Sequence, residues 1–248
     1  MRRARLAAAW VLAIVLVAGV LILVEAFRSP PGYSPAQLTS ERRAQVAQEL
    51  VNGQLAPLYN EVQKRQPFSW TVAQEQVNEY LAAMEEIEVN MPGKGGKVRR
   101  FMDAAGLESP AVALDEGAAT FMVRLRDYGI VLSARLAFDM TPERDLRVRL
   151  LEARTGRLTV PTALVSGWLG KLRGAVGSPA PETALAAAGP VIGRLSPADL
   201  GRTLASVVRA IDGTPVPTEI RKYRMRLAGL EIRDGQLTLR FEPTGAPK

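Results

Sequence analysis

The sequence contains neither cysteine nor histidine. Without cysteine there is no disulfide, no thiolate metal site and no cysteine nucleophile. In an oxidising compartment such a fold rests on its core alone. Without histidine, the commonest general base and the commonest zinc ligand are missing together. Serine–histidine and cysteine–histidine hydrolase mechanisms are thereby excluded, which leaves carboxylate-pair or serine–lysine chemistry. Aromatic residues make up 6% of the chain and the arginines are scattered along it. A nucleic-acid surface would concentrate basic residues and interleave them with aromatics, so no nucleic-acid partner is expected. No metal and no cofactor is expected either.

What is present begins with one long apolar run. Leu6 to Val24 is apolar apart from Gly19 and covers 19 residues. At about 1.5 Å per residue a helix of that length spans roughly 28 Å, close to the hydrocarbon thickness of a bilayer. Arg2, Arg3 and Arg5 precede it. Basic residues before a first span stay inside, so the N-terminus is expected in the cytoplasm and the remaining chain outside the cell membrane. Trp10 and Phe27 fall near the two interfaces. The alternative is a secretory signal peptide cut after Val24-Glu25-Ala26, but the run exceeds the roughly 7–15 residues of an ordinary signal core. A signal-anchor is the better reading, and on either reading the domain is exported. The whole chain carries +7; three arginines and one glutamate fall in residues 1–27, leaving the exported part at +5. That excess favours an anionic lipid surface.

Residues 28–34 read as a short stiff linker leaving the membrane. Ser34 then looks like an N-cap, with Pro35 at the first helical position and Gln37 at the capping-box site. A helix to about Arg65 would follow, bent or broken at Gly53 and Pro57, serving as a stalk or packing on the domain. Phe68 to Val72 alternates like a short strand or a helix lead-in. Thr71 is the expected cap of a second helix carrying Asn78 and Tyr80, with Val77, Leu81 and Met84 on one face. Met91 to Lys97 is a glycine-rich basic loop that lacks the spacing of a phosphate-binding loop. A short helix around Val98–Ala105 follows.

From Pro110 the period changes to two. Ala111–Leu114, Thr120–Arg126, Ile130–Asp139 and Leu146–Ala153 read as four strands joined by short turns, which requires an antiparallel meander. Phe121, Val123 and Leu125 alternate with Met122, Arg124 and Arg126, and Leu146, Val148 and Leu150 with Arg147 and Arg149. One face is therefore apolar and the other rich in arginine, the latter read as a solvated face that could also meet lipid headgroups. Gly156 to Pro161 closes the meander and leads into an unusually apolar helix, Thr162 to about Arg173. Residues 174–195 are rich in Gly, Ala and Pro. Ser196 and Pro197 open a helix to Ile211, and Ile220–Ile232 with Gln236–Phe241 form a hairpin around Asp234-Gly235. The chain thus divides into a cytoplasmic stub and anchor (1–27), a linker and helical stalk (28–65), and an extracytoplasmic domain (66–248). The fold class is α+β: an N-terminal transmembrane helix, then a curved antiparallel sheet packed against several helices.

Two stretches, Thr71-Val72-Ala73-Gln74-Glu75-Gln76-Val77-Asn78-Glu79-Tyr80-Leu81 and Gly156 to Pro161 with the apolar helix after it, carry a resemblance. In that order of elements the chain resembles the YpmS-like family of bacterial membrane-anchored proteins over roughly residues 66–175. The Ala/Pro-rich 174–195 stretch departs from the compact pattern. Such proteins look similar to tubular lipid-binding folds, in which a curved antiparallel sheet wraps a long helix around an apolar groove. The resemblance implies an acyl-chain site lined by Phe121, Val123, Leu125, Leu136 and Phe138 with Val165, Trp168 and Leu169. The same residues would also serve an ordinary closed core.

The leading expectation is a non-catalytic, membrane-anchored extracytoplasmic module that binds membrane lipid or another hydrophobic ligand. The alternative is a scaffold or accessory subunit that meets an envelope protein partner through a sheet edge or the 35–65 helix. An enzyme is not expected. Asp115, Glu116, Asp139 and Glu143 all sit in predicted turns, and Ser166 and Lys171 are five residues apart on a helix, which rotates them away from each other.

Overall fold

The structure, a computed structural model, describes residues 17–18, 20–21, 24–90, 102–103, 106–161, 215, 218–220 and 224–244. The expected span 6–24 falls almost wholly outside these residues. So do the 91–97 loop, most of the short helix after it, the helix 162–173, the 174–195 stretch and the helix 196–211. Among the described residues no helix is long and apolar enough to cross a membrane. These residues form an α+β fold in which antiparallel sheets pack against helices.

The first helix starts later than Ser34. Helix α1 spans Ser40–Gln48 and is capped by Thr39, whose Oγ1 accepts the Arg42 N–H at 3.2 Å. Residues before the cap cross the surface instead, and Leu38 packs against Val46, Ala47, Ala83 and Ile87. From Glu49 to Leu55 the winding widens to a π-helix, with the Ala56 N–H bonded to the Val51 carbonyl. Pro57 has no N–H to give to Gly53, so the α-helical ladder is broken there and the wider turn precedes it. Helix α2 then runs Ala56–Lys64. Val46 and Ala47 are buried against Ala83 and Ile87, so α1 packs on the helices that follow β1.

Strand β1, Phe68–Ala73, takes in Thr71. Thr71 therefore does not cap the next helix; its Oγ1 lies 3.0 Å from that of Thr238 across a strand pair. Helix α3, Gln74–Ala82, opens with the Ala73 N–H donating to Gln76 Oε1 at 3.1 Å, and helix α4, Met84–Asn90, follows. The meander is β2 (Leu107–Asp115), β3 (Ala118–Leu125), β4 (Ile130–Met140), β5 (Leu146–Thr155) and β6 (Leu158–Val160), a five-stranded antiparallel sheet in sequence order.

The C-terminal strands β7 (Glu219–Ile220), β8 (Met225–Arg233) and β9 (Gln236–Pro243) belong to a second sheet, ordered β1-β9-β8-β7. The sequence suggested one curved sheet; β1 instead pairs with β9 to complete a separate one. Asp234 and Gly235 have φ of 51° and 70°, the pair of left-handed residues a tight hairpin needs. In register, Phe68, Trp70 and Val72 face Phe241, Leu239 and Leu237, while Ser69 and Thr71 face Arg240 and Thr238. One face is thus apolar, and it meets the apolar face of the meander. Val112, Leu114, Ala119 and Ile232 are buried together, with Val77, Leu81, Phe138, Leu230 and Leu237 around them.

Helix α3 also closes the edge of the meander. The outward N–H of Val112 donates to Asn78 Oδ1 at 2.7 Å, and its carbonyl accepts from Asn78 Nδ2 at 2.9 Å. One turn earlier, Gln74 Oε1 accepts the Leu114 N–H at 2.6 Å. Residues four apart on a helix match residues two apart on a strand, so the two side-chain amides act as a substitute strand. Asn78 is itself buried. Asn78→Leu is expected to destabilise the domain by about 2–6 kcal/mol, since it strands a buried donor and a buried acceptor at about 1–3 kcal/mol each. Chemical denaturation measures this, and a loss below about 1 kcal/mol would refute the edge-closing role.

Candidate functional site

Directly paired residues of antiparallel strands share a face. Phe121 pairs with Val112 and Ala134, Val123 with Leu132, Leu125 with Ile130, Leu136 with Ala119 and Leu150, and Phe138 with Val148. The five described residues expected to line a ligand site, Phe121, Val123, Leu125, Leu136 and Phe138, therefore lie on one continuous apolar face. Val165, Trp168 and Leu169 lie outside the described residues. Val148 and Leu150, read from the sequence as apolar-face residues, join that face, as do Leu132 and Ala134, which were not singled out. Their signal was the same two-residue alternation, read on β4 only at Leu136 and Phe138.

The face is unevenly covered. Phe138 packs into the cluster beneath α3 and β8. Farther along β3 and β4, Phe121 is 45% exposed and Leu132 37%. Between Leu150 and Glu152 the ladder shifts register opposite Arg135 and Leu136. The extra residue, Leu151, is left 43% exposed. A bulge of this kind bends its strand and re-aims side chains.

The opposite face is only in part the solvated arginine surface its sequence suggests: Arg126, Arg147 and Arg149 are exposed, but its middle is covered. Ala111, Met122 and Val131 are buried there under Tyr33. Residues 28–34 do not lead away from the domain as a linker; they run back across this face as a strap. Pro30 is buried and Gly32 lies against the Ala113 side chain. The Tyr33 ring centroid is 5.7 Å from Arg124 Cζ, and its hydroxyl donates to the Ser109 carbonyl at 2.9 Å. Burial raises the Tyr33 pKa, against the lowering effect of the Arg124 charge. A strap of proline and tyrosine succeeds here because Ala111, Ala113, Ala118 and Ser133 interrupt the arginines with small side chains. Arg124 and Arg135 bury Nε atoms that have no hydrogen-bond partner among the described residues.

Beneath Pro30 and Pro31 lies a cavity of about 150 Å³ walled by Asp115, Thr120, Ser133, Arg135, Glu152 and Arg154. Its charges balance. Arg154 Nε is 2.7 Å from Glu152, and Thr159 Oγ1 donates to the same carboxylate at 2.9 Å. A larger open groove of about 350 Å³ runs between Pro35–Leu38, the α3–α4 junction and the start of β2. Arg43 meets Glu86 at 2.7 Å across it, and Arg126 meets Asp103 at 2.8 Å. Both recesses are lined by ion pairs and suit polar groups, not an acyl chain.

The candidate catalytic acids are dispersed. Asp115 lies 3.9 Å from Arg135, and Asp139 is bonded to Arg149 at 2.8 Å. Glu116 is exposed in the β2–β3 turn, and Glu143 is held by its own backbone N–H and the Thr141 hydroxyl. Ser166 and Lys171 lie outside the described residues. No protein-family model matches the chain, and no curated protein or solved structure matches it.

The Arg154 guanidinium, with help from Thr159, holds the Glu152 carboxyl below its ordinary pKa. A depressed carboxylate contributes stability above its unfolded value, and that contribution is lost as pH falls through the folded value. Glu152→Gln is therefore expected to be less stable than the parent at neutral pH. The gap between the two should close on acidification below about pH 4. Thermal melts at stepped pH measure this, and a gap that widens in acid would contradict it.

Proposed function

We propose that this chain is a single-pass membrane protein whose extracytoplasmic domain binds membrane lipid or another hydrophobic ligand on the apolar face of its meander, without catalysis. The observation that carries the reading is the open stretch around Phe121 and Leu132, on the same face as the buried core. Contiguous exposed apolar side chains on a protein surface commonly mark a binding site when the patch is large. The 19-residue apolar run with three arginines before it supplies the membrane and so a source of ligand. The resemblance to the YpmS-like family and to tubular lipid-binding folds supports the same reading by analogy.

A second reading, a scaffold or accessory subunit of an envelope complex, is favoured by Leu151, which the bulge leaves exposed on a strand otherwise rich in charge. Flat apolar exposure of this sort also suits a protein partner.

Native mass spectrometry of residues 24–248, exported and purified without harsh detergent, separates the two. Near-stoichiometric phospholipid or fatty acid is expected, and Phe121→Glu should abolish it while leaving the circular dichroism unchanged. A ligand-free mass, with Leu151→Glu breaking an isolated complex, would replace the lipid reading with the scaffold one.

A further inference from the structure

The strap does more than cover a face, because it begins where the 19-residue apolar run ends. Residues 24–27 form the last helical turn after the apolar run, and that turn is bonded directly to the β5–β6 turn. The Arg157 N–H donates to the Glu25 carbonyl at 2.9 Å, and Arg157 Nε donates to the Ser29 carbonyl at 3.3 Å. Arg28 closes the helix end, donating to Glu25 Oε1 at 2.7 Å. At Gly156 the two backbones touch: a Cβ there would overlap the Ala26 carbonyl and lie 2.6 Å from the Glu25 oxygen. Gly156 also has φ of +58°. Glycine is required twice over, for its backbone angle and for the close approach.

From these contacts we infer that the domain is clamped to its anchor, with the β5–β6 turn seated in the lipid headgroup layer and Phe27, Arg28 and Arg157 facing that layer. The inference rests on the anchored reading above. Its reach follows from chain length. Glu25 comes directly after Val24, the last residue of the apolar run, and a residue spans at most about 3.6 Å. The β5–β6 turn therefore lies within about 7 Å of the end of the run. The headgroup region adds about 5–8 Å to each side of the hydrocarbon core. A turn bonded at Glu25 therefore falls within that layer or at its outer edge.

The three exposed side chains suit that position. Phe27 is half exposed, and aromatic rings are favoured at the membrane interface. Arg28 and Arg157 place two guanidinium groups where lipid phosphates lie, and cations near a helix C-terminus are favoured by its dipole. The strap then fixes orientation as well as distance. It continues from Ala26 across β5, β4 and β3 to Tyr33 beside β2, so the sheet cannot swing about the exit point. The β4–β5 turn, at the other end of the ten-residue strand β5, is about 30 Å from Gly156 along the strand, and in the clamped arrangement it is the end farther from the bilayer.

The chain has no cysteine, so single cysteines can be labelled without background. Full-length protein carrying Thr159→Cys or Glu143→Cys would be labelled with a fluorophore and reconstituted into vesicles of phosphatidylcholine and phosphatidylglycerol. The vesicles would contain a headgroup spin-labelled lipid as quencher. Several-fold stronger quenching at position 159 than at 143 is expected. Gly156→Ala should equalise the two sites while the protein stays in the vesicles. Gly129→Ala has a comparable backbone angle, φ +64°, but nothing within 4 Å of the added Cβ, and should leave the difference intact. Equal quenching at the two sites in vesicle-bound parent protein would overturn the clamp and leave the anchor standing. That comparison decides the matter even if Gly156→Ala fails to fold. Release of the parent protein by an alkaline carbonate wash would overturn the anchor and the clamp together.

Discussion

The domain depends on how the free edge of its larger sheet is closed. A strand at a sheet edge carries unpaired N–H and carbonyl groups that invite pairing with another chain. Here Asn78 and Gln74 satisfy those of Val112 and Leu114 from helix α3. The same helix sends Val77 and Leu81 into the cluster where the two sheets meet. Since α3 follows directly on β1, it carries the second sheet with it. Helix, meander and terminal hairpin are thus tied to one point, and the apolar face is exposed only where that cover ends.

The meander was legible in the sequence because each of its turns is local and each strand alternates cleanly. The division into two sheets was not. Thr71 and Thr238 meet across 167 residues, and nothing near Phe68–Ala73 announces a partner at that distance. A short segment with Thr at a capping position reads equally as a strand or a helix lead-in. The late start of α1 has a similar cause: Ser34-Pro35 and Thr39-Ser40 both carry start signals, and packing of Leu38 decides between them. The candidate face was legible through its period of two, whereas its uneven cover depends on tertiary contacts of α3 and β8.

The arginine face shows how alternation can mislead. Arginine on every second residue suggested solvent, which holds at Arg126, Arg147 and Arg149; where the face is covered, what matters is what lies between the arginines. Small residues on β2, β3 and β4 make a shallow path, and Pro30, Gly32 and Tyr33 follow it. Arg124 then stacks beneath Tyr33 instead of extending into water. Charge on a strand reports its polar side; it does not report whether another segment crosses that side.

The strap also bears on the order in which the molecule can be assembled. Ser29 and Arg157 are 128 residues apart, and β1 and β9 are farther apart still. Contacts of such long sequence separation form slowly, since much chain must be ordered before they are rewarded. The strap, although it comes early in the chain, is therefore among the last segments to find its place. Until the β5–β6 turn has formed, Glu25 and Ser29 lack the Arg157 contacts that hold them and the strap has no fixed end. The fixed strap is thus a property only of the folded sheet, and its closure follows completion of the meander.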